Sequence, residues 1–201
     1  MRKLKVNTFL TLDGVMQAPG GPEEDESGNF KHGGWQFPYE DEMTGEVMGT
    51  FMGVPFDLLL GRKTYDIFAG YWPNHPGDPG DKLNNARKYV ASRTLNKADW
   101  QNSALIKGDV AKEVAKLKEQ DGPEIHVYGS GDLVQTLLKN SLIDELHLLI
   151  YPLLLGTGKR LFAEGTVPTS LKVTDSKVSS NGVFFAKYEP AGDVQYGTFA
   201  D

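Results

Sequence analysis

Apolar positions along the chain follow two rhythms, one of period two or continuous, the other helical, and they largely alternate. Residues 3–12 are rich in Leu, Val, Phe and Thr and alternate in part, the pattern of a β-strand. Residues 13–37 interrupt it with Gly, Pro and acidic side chains; a loop of that length inside a compact domain is expected to be functional or mobile. From Tyr39 the rhythm turns helical, with Met43, Val47, Met48, Phe51 and Met52 on one face, and on this wheel Glu40 falls near the middle of the apolar side. Phe56 to Leu60 is an unbroken apolar run, as expected of a strand buried on both faces. A helix is expected over Arg62–Ala69, then a Pro/Gly loop at 71–81.

Strands are next expected at Lys88–Ser92 and Ala104–Lys107, and a helix at 109–120 with Asp109 as its N-cap. Glu124–Tyr128 reads as a strand, Asp132–Lys139 as a helix, and Ile143–Leu155 as a strand broken by Pro152. Two β-rich segments, Leu171–Val178 and Val183–Glu189, flank the hairpin signal SSNG. Strands alternating with helices imply a three-layer α/β/α architecture, its sheet mixed but mainly parallel, with an antiparallel hairpin at the C-terminal edge. No repeat or linker divides the 201 residues, so residues 1–201 are expected to form one domain.

Composition narrows the chemistry. There is no cysteine, which removes disulfides, thiolate metal sites and thiol nucleophiles and fits a cytoplasmic setting. Acidic residues outnumber basic ones by 27 to 21, so a sequence-independent nucleic-acid binder is disfavoured. No apolar run is long enough for a membrane span, and His32, His75, His126 and His147 lack any paired metal-ligand spacing, so neither a membrane nor a metal is expected.

Three strand-to-helix junctions carry anion-binding chemistry. Gly61 ends a strand and Arg62, Lys63 and Thr64 fill the first turn of the next helix, where free N–H groups favour an anion. Gly129, Ser130 and Gly131 form a second junction, lacking the third glycine of a full dinucleotide fingerprint because position 134 is Val. Ser92, Arg93 and Thr94 follow a third strand with a guanidinium and two hydroxyls. The ends of one parallel sheet converge, and three such tips suit a dinucleotide better than a mononucleotide.

These segments, in this order, resemble the dihydrofolate reductase fold, and in particular the reductase domain at the C-terminus of the bifunctional riboflavin-biosynthesis enzyme and its free-standing relatives. The resemblance rests on TLDGVMQAP (11–19), GGWQFPYEDE (33–42), LLLGRKTYDIFAGYWP (58–73), ASRTL (91–95), VYGSGDLVQTLL (127–138) and DELHLLIYPLLLGTGKRLF (144–162). It implies NADPH as cofactor, with Gly61, Arg62, Lys63 and Thr64 along its phosphates, Ser92, Arg93 and Thr94 at the 2′-phosphate, and Gly129, Ser130, Gly131, Asp132 and Leu133 under the pyrophosphate and nicotinamide. It also implies a small-molecule substrate of pterin or ribityl-pyrimidine type.

Two acids are candidates for the catalytic role: Asp13, at the end of the first strand, and Glu40, expected to be raised in pKa at the mouth of an apolar helix face. Trp35 and Asp41 are candidate substrate contacts, Trp35 as a cover for a flat ring. The alternatives are a non-catalytic NADPH- or nucleotide-binding protein and a true dihydrofolate reductase. The apolar run HLLIYPLLL exceeds what one strand requires and points to a homodimer face.

Overall fold

The structure, a computed structural model, describes residues 1–199. Eight strands form one sheet: β1 (Leu4–Thr11), β2 (Phe56–Gly61), β3 (Lys88–Ala91), β4 (Ser103–Ile106), β5 (Glu124–Tyr128), β6 (Glu145–Tyr151), β7 (Leu171–Val178) and β8 (Phe184–Pro190). Their order is β4-β3-β2-β5-β1-β6-β8-β7. The first six strands are parallel, and β8 pairs antiparallel to both β6 and β7. This is the expected mixed, mainly parallel sheet with its C-terminal hairpin. Gly182, at a φ of +81°, closes that hairpin by donating its N–H to the Ser179 carbonyl.

Five helices cover the two faces: α1 (Glu42–Met52), α2 (Arg62–Tyr71), α3 (Gly80–Asn85), α4 (Val110–Glu119) and α5 (Gly131–Lys139). One face buries Leu58, Leu60, Val90, Tyr128, Leu149, Tyr151 and Phe185 under Val47 and Phe51 of α1 and Tyr65 of α2. The opposite face buries Leu4, Val6, Leu59, Val127 and Leu146 under Val114 and Leu117 of α4 and Val134 and Leu137 of α5. Leu58, Leu59 and Leu60 are wholly buried because β2 has a helical layer on each side. Each such side chain stabilises the fold by about 1.5–3 kcal/mol.

The departures from expectation are local and physical. The helix expected from Tyr39 begins at Glu42, because Asp41 caps it: its side chain accepts from Thr44 N–H at 3.1 Å while the Thr44 hydroxyl accepts from Asp41 N–H at 2.8 Å. Glu40 therefore stands before the helix in extended backbone and not on its apolar face. The Pro/Gly loop at 71–81 runs into a short helix, α3, too brief for periodicity to reveal. The long loop 13–37 is packed and not free: Val15, Ala18, Phe30 and Trp35 belong to the core. Of the run HLLIYPLLL, HLLIY lies in β6 and is buried apart from a half-buried Ile150, whereas the PLLL that follows leaves the sheet, with Leu153 and Leu155 half-buried and Leu154 exposed. Among the described residues, no helix is long and apolar enough to cross a membrane.

Candidate coenzyme cleft

Because β3, β2 and β5 are neighbours in the sheet, the three anion-binding junctions open side by side. They are also joined directly. Gly61 N–H donates to Ser130 Oγ at 2.9 Å, and Ser130 Oγ donates to Thr64 Oγ1 at 2.9 Å. Arg62 Nη1 reaches Thr94 Oγ1 at 3.0 Å, tying the second tip to the third. Glycine suits these close meetings: a Cβ at Gly61 would lie 3.2 Å from Ser130 Oγ, and one at Gly129 would lie 3.3 Å from Thr64 Oγ1 at a left-handed φ of +58°. Ser130 itself is left-handed (φ 62°), a conformation unusual for a non-glycine residue and held here by its two partners.

Neither α2 nor α5 receives a side-chain cap. The Ser130 hydroxyl, which by position would cap α5, points to Gly61 and Thr64 instead, so the first turns of α2 and α5, helices on opposite faces of the sheet, both stand without a side-chain cap beside the linked tips. Asp132 is exposed at that turn, whereas the Leu133 side chain is buried in the opposite-face core, leaving only its backbone for a ligand. Ser92 Oγ accepts from the N–H groups of Thr94 and Leu95 and shapes the third tip. Arg93 is exposed there, with no ion-pair partner among the described residues. The donor set and the glycine cradle fit a dinucleotide with several phosphates.

Two of the expected cations are otherwise engaged. Arg62 Nε pairs with Asp66 at 2.6 Å while its Nη1 holds Thr94. Lys63 Nζ lies 2.8 Å from Asp25 Oδ1, and Lys159 Nζ lies 2.7 Å from Asp25 Oδ2, so the acidic loop is strapped to α2 and to the GTGK turn. Burial raises the Asp25 carboxyl, but hydrogen bonds from Lys159, Lys63 and Ser27 overcome this and hold it well below the usual carboxylate range. Asp25 and Lys159 escaped sequence reasoning because the pairing spans 134 residues.

The acids divide sharply. Asp13 accepts from the Thr11 hydroxyl at 2.5 Å, Leu155 N–H at 3.2 Å, Gly156 N–H at 2.8 Å and Arg160 Nη2 at 3.3 Å. Led by the Thr11 hydrogen bond, these contacts bring its pKa down to about 2. A carboxylate so held stays ionised at neutral pH and acts as a clasp for the turn after β6. Asp41, expected at the substrate, is likewise engaged: beyond its cap it accepts from the Ser180 hydroxyl at 2.8 Å and from Asn181 N–H at 3.3 Å, docking the hairpin turn onto α1. Trp35 donates Nε1–H to the Gln17 carbonyl at 2.8 Å and stacks edge-on against Tyr151, so it is a core residue and not a cover for a ring.

Glu40 differs from both. Its pKa is raised, first by partial burial and then by the charge of Asp41. The Asn181 side chain, reaching the Tyr39 and Glu40 carbonyls at 3.4 and 3.3 Å, fixes its backbone. Tyr151, wholly buried, carries a hydroxyl with no hydrogen-bond partner, and its pKa is pushed up by burial and by the nearby charges of Glu40 and Asp41.

The mainly parallel sheet, its C-terminal hairpin and the linked strand tips make this an α/β fold of the dihydrofolate reductase type. The chain belongs to the RibD C-terminal domain family, whose model matches residues 2–185. It is 35% identical to the uncharacterized protein YyaP of Bacillus subtilis over 189 residues, covering 90% of this chain and 92% of the relative. Among solved structures it resembles a pyrimidine reductase-like protein of Corynebacterium diphtheriae, with a TM-score of 0.62 and 13% identity, covering 96% and 93% of the two chains. It also resembles the diaminohydroxyphosphoribosylaminopyrimidine deaminase/5-amino-6-(5-phosphoribosylamino)uracil reductase of Thermotoga maritima. There the TM-score is 0.62 at 16% identity, over 94% of this chain but only 57% of that one.

Proposed function

We propose that this chain is an NADPH-dependent reductase of a small heterocycle of the pyrimidine or pterin type. The observation that carries this reading is the direct linkage of the tips of β2 and β5 through Ser130, which ties together the uncapped N-termini of two helices on opposite faces of the sheet at a glycine cradle. Separate anion sites on one surface would not need such a linkage, and it suits a pyrophosphate with a further phosphate. Bound NADPH would supply the hydride, and the protein would orient the two rings and deliver a proton. The N–H groups of residues 62–64 and 131–133 would hold the phosphates, Arg93 would face the 2′-phosphate, and Lys63 would exchange Asp25 for phosphate or keep the loop closed over it. Glu40 is the proton donor in this reading, since its raised pKa lengthens the pH range in which it carries a proton.

Quenching of tryptophan fluorescence by NADPH and NADH tests the grip. Binding of NADPH at least tenfold tighter is expected, and equal, weak binding of both refutes the assignment. A panel of pyrimidines, pterins and dihydrofolate, followed by loss of absorbance at 340 nm, tests turnover. One observation favours a non-catalytic, coenzyme-binding protein: Asp13, the acid at the end of β1, is fully engaged in structure. NADPH bound tightly but never oxidised across the panel selects that reading.

A further inference from the structure

The central sheet contains polar atoms that folding normally eliminates. Both side-chain atoms of Asn7, the Tyr128 hydroxyl and Nδ1 of His147 are buried with no hydrogen-bond partner. These residues are only 1%, 5% and 6% exposed. They are also neighbours, because the parallel register sets Asn7 opposite Tyr128 on β5 and opposite His147 on β6. The three side chains therefore stand in one row across β5, β1 and β6, on the face covered by α1 and α2.

An unpaired amide or hydroxyl in a dry interior carries its full desolvation penalty, and an apolar side chain of similar size would remove it. Three such residues in one row point to a partner that arrives from outside. The Asn7 amide offers one donor group and one acceptor, both free. His147 Nε2 lies 3.0 Å from Glu145 Oε2, which assigns the ring proton to Nε2 and leaves Nδ1 as an acceptor. The Asn7 amide lies beside the Tyr128 hydroxyl, though no aligned bond joins them.

The row also lies where a substrate is needed. Tyr128 is the last residue of β5, and the glycine tip follows it directly. Phe51 of α1 stacks on the His147 ring at 5.0 Å, so a ring bound on the row displaces it; Phe9, two residues on from Asn7, and Met43 and Met48 of α1 are only half-buried against the same core, and methionines yield readily.

We infer that Asn7, Tyr128 and His147 form the recognition floor for the lactam edge, adjacent C=O and N–H, of an uncharged heterocycle. This rests on the reductase reading and deepens it: a neutral amide donor and acceptor pair with a ring carbonyl and ring N–H, an edge that pyrimidinediones and pterins share.

The test compares Asn7→Leu and Tyr128→Phe with the unaltered protein in three measurements: thermal midpoint without ligand, NADPH affinity, and calorimetric binding of 5,6-diaminouracil to the NADP⁺-saturated protein. The expected result is a raised midpoint in both variants, NADPH affinity within twofold, and diaminouracil affinity reduced at least tenfold. A lowered midpoint in both variants would show that the polar atoms serve the fold, and unchanged diaminouracil affinity would show that they do not touch the ring; either overturns the inference. Unaltered protein that binds NADPH but not diaminouracil overturns the floor alone, whereas one that binds neither overturns the reductase reading with it.

Discussion

Glu145 is the most heavily paired acid among the described residues, and removing its charge has a calculable consequence. Its side chain is 1% exposed and lies 2.7 Å from Lys3 Nζ, 3.1 Å from Lys187 Nζ, 3.6 Å from Lys5 Nζ and 3.0 Å from His147 Nε2. Burial raises its pKa, but the hydrogen bonds from Lys3, Lys187 and His147 outweigh burial and bring it from 4.5 down to about 2. At 1.36 kcal/mol per unit, that difference is about 3 kcal/mol of stability at neutral pH. Because the folded-state pKa lies below the unfolded one, the contribution is complete above pH 4.5 and disappears as the pH falls through 2. Glu145→Gln is therefore expected to lose about 2–3 kcal/mol at pH 7, or roughly 5–10 °C in thermal midpoint for a chain of this length. Urea unfolding followed by tryptophan fluorescence at pH 7 and pH 3 would read it, with about half or more of the gap between the two proteins gone at pH 3. A gap below 0.5 kcal/mol at pH 7, or one that does not shrink with acid, would refute the reasoning.

The remaining predictions concern the cleft and its supports. Arg93→Ala should weaken NADPH binding by about 10- to 100-fold, the worth of a charge-assisted phosphate contact, and leave NADH unaffected; equal losses for both coenzymes would remove Arg93 from the 2′-phosphate. Glu40→Gln should lower kcat by about 100-fold or more while leaving the thermal midpoint within a few degrees. Asp13→Asn should do the reverse, lowering stability by about 1–2 kcal/mol because four donors lose a charged acceptor, and a variant of full stability but abolished kcat would restore Asp13 as the acid. Gly158→Ala would place a Cβ 2.7 Å from Val15 Cγ1 and 2.8 Å from Phe30 Cε2 at a φ of +117°, and calorimetry should show a loss of roughly 2–3 kcal/mol. We also propose a dimer, now on different grounds: seven of the eight residues of β7 are exposed, along a free sheet edge. Light scattering is expected to return twice the chain mass, and a monomer would refute it.

Where neighbouring residues decide the conformation, the sequence was a sound guide. The continuous run of β2, the glycine before Arg62 and the Asn-Gly turn each state their geometry within a few positions. Long-range pairing was not legible. Lys63 carries the composition of a phosphate ligand, yet it pairs with Asp25, 38 positions away. Asp13 looks like a free acid after a strand until the turn after β6 closes upon it. Glu40 was misplaced for a local reason: Asp41 and Thr44 carry a capping signal, and reading the helix from Tyr39 overrode it. Asn7 gave a visible sign, a lone amide inside an apolar strand, but only the register shows that its neighbours are unsatisfied too.

The strapped loop has a kinetic corollary. Val15, Ala18, Phe30 and Trp35 anchor residues 13–37 in the same core that holds α1 to the sheet. Lifting this segment would strip aromatic surface from the interior, a disruption on the scale of unfolding and not of breathing. The hydrogen-bonded amides of Val15, Met16 and Gly34 should therefore exchange with deuterated solvent almost as slowly as those of β1, and on the reductase reading coenzyme would enter along the exposed flank beside Arg93 instead of waiting for a flap to rise.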